Sequence, residues 1–419
     1  MKTKFSRCLF FAVALTAFAG VGRAQIVQFN ATITGAQETP ATGSASTGTA
    51  TMFYDVATNT FDLFVTVNNF PNTLTNSHIH EGAAGVAGGV VTPLGAEPLY
   101  TRSGNTLTGS FYDLTYGGTP KTLLQNGAYI NFHSAAFPAG EIRGQLIAQP
   151  KRLVANLTVT QEQAAFPTVN MAGLNDYGAA VMSYDSGTNR VSLRVSVYNF
   201  NNSMNNSHFH EGAPGVSGAV VTALGNASSA GYAIVGNWIT GTFDIPYTGD
   251  PIKLLTGGAY INFHSTAFPA GECRGQVRAS DETPGTRLTN ISTRGFVGPG
   301  NQVLIEGLVI NGPDPVRLLI TAKGPSLAAY GVTGVLADPN LAIYDSAGRQ
   351  IAANDNVGTP AAGSELALIP GVPTNSAESA LLVVLPPGVY SMVVFGNGGS
   401  GIALLEAVDL RILGTLVTN

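Results

Sequence analysis

Cysteine and histidine, two of the side chains best suited to transition metals, are scarce: 419 residues contain two cysteines and six histidines. Cys8 lies in the leading segment, and once that is removed Cys273 has no intrachain partner for a disulfide. Cys273 takes the place of Ile142 in the other copy of a repeated phrase, so it reads as a small buried hydrophobe. Charge is scarce too, at 11% of residues, with 25 acidic against 20 basic. That excludes the clustered Lys and Arg of a nucleic-acid partner. Beyond the first segment no apolar run approaches ~18 residues, so no membrane span is expected in the mature chain. No stretch shows a helical period, and no Ser/His/Asp or paired-carboxylate arrangement stands out as catalytic.

What is present is Gly, Pro, Asn and Thr between many short apolar runs that alternate with period two. With 44% apolar residues, this composition predicts an all-β protein with real cores. The opening "MKTKFSRCLFFAVALTAFAGVGRAQ" reads as a secretory signal over residues 1–24. It has a basic start, a short apolar stretch and small residues at Gly22 and Ala24. Cleavage there takes four of the 20 basic residues and leaves 16 against 25 acidic, a formal charge near −9. The expected location is secreted, periplasmic or cell-surface.

The rest contains one long repeat. "SHIHEGAAGVAGGVVTPLG" from Ser77 matches the stretch from Ser207 at 14 of 19 positions. "LLQNGAYINFHSAAFPAGEIRGQ" from Leu123 matches the stretch from Leu254 at 19 of 23. A period near 130 residues means two whole domains, expected at 25–149 and 151–279. A polar linker, 280–286, precedes a third set of strands over 287–419 that reads as a β-sandwich. The expected architecture is three β-sandwich-like domains, the first two being repeats.

All six histidines sit in the repeated phrases. Residues two apart in a strand point the same way, so His78 and His80 share a face. A hairpin places His133, Asn131 and Tyr129 on one face, and regular alternation brings Glu141 beside His133 with Arg143 nearby. The matching set is His208, His210, His264 and Glu272, with Asn262 and Arg274. Three imidazoles suit zinc or copper, one ion per repeat, with Glu141 or Glu272 as a fourth ligand or water in that place. Glu81 and Glu211 are expected to begin the Gly-rich turn, or to support a histidine ring N–H. The other reading is a metal-free polar cluster in which Arg143 bridges Glu141.

The phrases "HIHEGAAGVAGGVV" and "YINFHSAAFPAGEIRGQL" closely resemble the CHRD domain, named for chordin and found in many secreted bacterial proteins. The resemblance covers roughly residues 25 to 280 and implies an extracellular setting. The growth-factor antagonism of the animal proteins does not follow for a chain lacking their Cys-rich modules. "HFHEG" is also similar to the copper-site phrase of copper–zinc superoxide dismutases, though that family's remaining ligand spacing is not found here. The expected function is a non-catalytic extracellular or cell-surface binding protein, its partner an unknown extracellular ligand or envelope component. Two alternatives stand beside it. One is a metal-dependent redox enzyme or hydrolase using an open three-histidine site. The other is a structural envelope or matrix component.

Overall fold

The structure is a computed structural model that describes residues 25–280, 289–358 and 365–410. The expected signal segment and most of the expected linker lie outside these. The chain is all-β, as its punctuation predicts. In the first repeat the strands are β1 (Ile26–Thr34), β2 (Thr47–Asp55), β3 (Thr60–Asn68), β4 (Leu74–Glu81) and β5 (Gly89–Pro93). They are followed by β6 (Thr101–Ser103), β7 (Thr106–Thr115), β8 (Ala128–Ser134), β9 (Ile142–Gln145) and β10 (Ile147–Ala148). They form one antiparallel sheet in the order β5-β4-β8-β9-β1-β2-β3-β7-β6, with β10 also pairing β1. The sheet curls so that Phe29, Leu63 and Val65 meet Ile79, Phe132 and Ile142 in a common core. The second repeat has the same strand order over residues 151–279.

Among the described residues four short α-helices, Pro120–Leu124, Val159–Ala165, Pro251–Leu255 and Glu365–Leu368, depart from the helix-free expectation. None exceeds seven residues, too short for a 3.6-residue period to register. Pro at the first helical turn and the caps Thr158 and Asp250 set their starts.

The last strands form two four-stranded sheets, a sandwich as expected. Its core takes in Tyr198 and Trp238 of the second repeat. Strand Ser379–Leu385 is an edge of its sheet, and its free backbone groups meet that repeat. The Tyr198 hydroxyl donates to Val384 O at 3.0 Å, and Val384 N–H donates to Ser196 Oγ at 3.1 Å. Glu365 accepts from Arg194 at 2.6 Å and also pairs Arg317. An exposed edge is thus capped by side chains rather than left to pair with another chain. Among the described residues no helix is long and apolar enough to cross a membrane.

Candidate metal centres

Strands β4, β8 and β9 lie side by side and carry the histidine face. Register pairs His78 with Asn131, His80 with Tyr129, Asn131 with Arg143 and Tyr129 with Gln145. His80 stacks on Tyr129 with ring centroids 4.9 Å apart, and the Arg143 guanidinium lies 3.5 Å from the same ring. Arg143 also donates to the carbonyls of Val86 and Ala83, and the Tyr129 hydroxyl accepts from Gly88 N–H. These bonds hold the loop "EGAAGVAGG" down over the sheet. A Cβ on Gly88 would lie 1.6 Å from Glu81 O, so only glycine permits that approach.

The loop's purpose at the site is to orient a ring. His80 Nδ1 lies 3.0 Å from Gly88 O, and His133 Nδ1 lies 3.1 Å from Pro138 O. A carbonyl only accepts, so each Nδ1 carries the proton and each Nε2 keeps its lone pair. His80 Nε2, His133 Nε2 and His78 Nδ1 are buried and have no hydrogen-bond partner. One ligand atom from each of the three rings lies within 4.8 Å of the others. The second repeat repeats the plan, with His210 Nδ1 on Gly218 O, His264 Nδ1 on Pro269 O, and His208 Nδ1 3.3 Å from His264 Nε2. Nitrogens about 2.0–2.1 Å from one ion stand at such separations.

Burial favours the neutral form of His78, His80, His208, His210 and His264. His78 is held below its ordinary value by burial and by the neighbouring rings, His133 first. His80, His210 and His264 shift the same way, burial leading in each. His208 is pushed down to about 4 by burial and by His264. Neutral imidazole is the ligand form.

The two glutamates do not join them. Glu141 is buried, but its carboxylate accepts from Ser44 at 2.9 Å, Asn72 at 3.0 Å and Ser134 at 2.5 Å. The reason is a bulge. Glu141 N–H donates to Phe132 O, while Ile142 is the register partner of Phe132, so two residues oppose one and alternation breaks. Gly140, at φ +133°, starts it. Glu272 makes the same bond to Phe263 and accepts from Asn202 at 2.8 Å. Arg143 and Arg274 are tied to their loops, so the expected Arg143–Glu141 bridge is replaced by loop contacts. Glu81 accepts from Tyr116 and Thr119, and Glu211 from Asp250 and Lys253, so neither supports a histidine ring.

The repeats differ behind the bulge. Where the first has Ser46, 3.2 Å from Glu141 Oε1, the second has Asp176 against Glu272. Burial, then the Glu272 charge, raises the Asp176 carboxyl above its ordinary range. A carboxyl with a raised folded value stabilises the fold below its unfolded value near 4, and that contribution is lost as pH rises through the folded value. The second repeat is therefore expected to lose of order 2 kcal/mol between pH 5 and pH 9. Asp176→Ser is expected to flatten this slope. Parallel thermal melts at the two pH values check it, and equal slopes in both proteins would refute it.

Sequence reading passed over Glu38 and Glu162. Each stands near the histidine face, against Asn131 or Asn262, where the glycine Gly140 or Gly271 leaves room for its carboxyl. Burial pushes both up to about 7, opposed by Arg143 and Arg274. The signal was the shared "QE", Gln37-Glu38 and Gln161-Glu162, inside openings that otherwise differ. Both glutamines accept from the backbone of the same strand position, Gln145 N–H and Gln276 N–H.

Comparison with known proteins supplies a family and no activity. A search of curated proteins gave no match. The CHRD domain profile matches residues 29–146 and again 153–277, more than half of the chain. The protein belongs to the CHRD domain family and carries two copies of the domain in tandem.

Proposed function

We propose that this is an exported metal-binding protein that holds one copper or zinc ion in each CHRD repeat. The observation that supports this most is that each repeat gathers three ring nitrogens within 4.8 Å of one another; in the first repeat all three are buried without partners, and in the second His210 Nε2 is. Two of them owe their lone pair to a carbonyl on the far side of the ring. In a metal-free cluster a proton on His78 or His208 Nδ1 serves only one of the two lone pairs, as His208 does for His264 at 3.3 Å, and the other is a costly unpartnered buried acceptor. The ligand set is imidazole alone, which suits copper and zinc, and the general affinity order puts copper first. The role follows as binding or storage outside the cytoplasm, in line with the setting the family implies.

An enzyme is the second reading. It draws on the three-ligand count, which leaves a coordination position open, and on Glu38 near the same face. A carboxyl near neutrality is suited to proton transfer. Titrating metal-stripped protein with Cu²⁺ and with Zn²⁺ by calorimetry tests the proposal. About two equivalents are expected, one per three-histidine group. Electron paramagnetic resonance of the copper form is expected to show nitrogen ligands. Absence of saturable binding by either ion refutes it.

A further inference from the structure

The two repeats present the same outer sheet face to different ends. In the second repeat Val154, Ala179, Val181, Tyr198 and Trp238 lie buried on it, against the terminal sandwich. The corresponding residues of the first repeat are Asn30, Thr49, Thr51, Asn68 and Thr106, polar and at least partly exposed. A second sandwich finds no apolar surface there. The far part of that face is different again. Phe53, Phe64 and Tyr112 stand on adjacent strands with 38%, 36% and 64% of their surface exposed. Their rings step edge to face, with centroids 6.2 and 5.6 Å apart.

Tyr112 is there because of an added residue. Leu63 pairs with Phe111 and Phe61 with Leu114, so Tyr112 and Asp113 together oppose Asp62. Asp113 takes φ +52°, unusual for a residue with a side chain, and its N–H donates to Asp62 Oδ1 at 2.9 Å. The second repeat has no such bulge: Asp244 alone opposes Ser192, and Ser183 and Arg194 replace the two phenylalanines. Bulges of this kind re-aim side chains at binding surfaces. Phe53 and Phe64 line an open groove of about 860 Å³ that also takes in Gln28, Asp55, Asp62 and Asp113, with Lys151 as the cation among its lining residues, and Tyr112 stands beside Phe64 next to it.

Aromatic rings interleaved with carboxylates and an amide suit a ligand with apolar C–H faces and many hydroxyls. The carboxylates disfavour an anionic polymer, and Phe53 and Phe64 stand on β2 and β3, interior strands whose backbone is paired on both sides and so does not take up a peptide strand. We propose that the outer face of the first repeat binds a single chain of a neutral polysaccharide. Sugar rings lie against Tyr112, Phe64 and Phe53, and their hydroxyls donate to Asp62 and Asp113 and bond the Gln28 amide. Because the rings step rather than form one plane, the face fits a soluble chain rather than a crystalline surface. This proposal is independent of the histidine centres.

Affinity electrophoresis in gels containing xylan, hydroxyethyl cellulose or galactomannan tests it, with polygalacturonate as the anionic polymer. At least one neutral polymer is expected to retard the full chain. Tyr112→Ala and Phe64→Ala are each expected to weaken that retardation about tenfold, a loss of one stacking contact. Tyr330→Ala, an exposed ring on the terminal sandwich, is expected to leave it unchanged. Thermal melts confirm that the variants fold. No retardation by any of the three neutral polymers overturns the proposal, as does equal retardation by polygalacturonate. Sedimentation showing self-association that Tyr112→Ala abolishes also overturns it, since the face would then join two copies of the chain.

Discussion

His80→Ala is expected to lower the copper or zinc capacity of the chain from about two ions to one, and His80→Ala with His210→Ala to remove both. His80 is the ring with the most fixed surroundings: Tyr129 stacks on it and the Gly88 carbonyl sets its proton. Without it, two imidazoles remain, too few to hold an ion against water and buffer. Glu141→Gln is expected to leave the count at two, because that carboxylate is bonded to serines and Asn72 rather than to the ion's position. Strand alternation alone, which brings Glu141 beside His133, predicts the opposite, and an unperturbed imidazole would release its metal at about pH 6. The observed burial moves that release lower. Protons compete for the same lone pairs, and a ring whose value is depressed accepts a proton only at lower pH. The second centre, with His208 near 4, is expected to keep its ion to the lower pH of the two. Metal analysis after dialysis at stepped pH checks both statements. Loss of both ions from the single His80→Ala variant would contradict two separate centres.

The histidine face was legible in the sequence because it depends only on strand alternation and on a repeat that kept both phrases. His78 and His80 required nothing more than a period of two, and His133 required one hairpin. Glu141 was misplaced for the same reason: alternation was extended one residue too far. The warning was Gly140, a residue that admits the φ of +133° from which the bulge starts. Glu38 was hidden by its neighbourhood, since the segment around it diverged while its own packing against Asn131 did not. The family resemblance located both domains, but it carried nothing about the terminal sandwich. For that, the informative positions were the ones where the repeats disagree. One asparagine and three threonines at least partly exposed in one copy stand as Val154, Ala179, Val181 and Trp238 in the other. Exposed strand faces rarely become apolar unless something covers them.

That disagreement gives the second large effect. Tyr198→Ala is expected to cost about 3–5 kcal/mol, the range for emptying a buried aromatic site. Tyr198 is buried completely in the terminal sandwich's core although it belongs to the second repeat. Its hydroxyl is bonded to Val384 O, so the variant also leaves an edge carbonyl without a donor. Asn68 occupies the same strand position in the first repeat, is exposed, and only accepts a bond from Thr106 at 3.3 Å. Asn68→Ala is therefore expected to change stability by less than ~0.5 kcal/mol. The consequence reaches beyond the size of the loss. With Tyr198 in place, the second repeat and the sandwich share a core, Arg194 and Glu365 pair across it, and the two are expected to melt together. Without it, the sandwich is expected to melt separately and first, because the Ser379–Leu385 edge loses its cover. Calorimetry of wild type and both variants distinguishes these outcomes. A Tyr198→Ala melt with the wild-type midpoint and a single transition would show that the shared core does not couple the two parts.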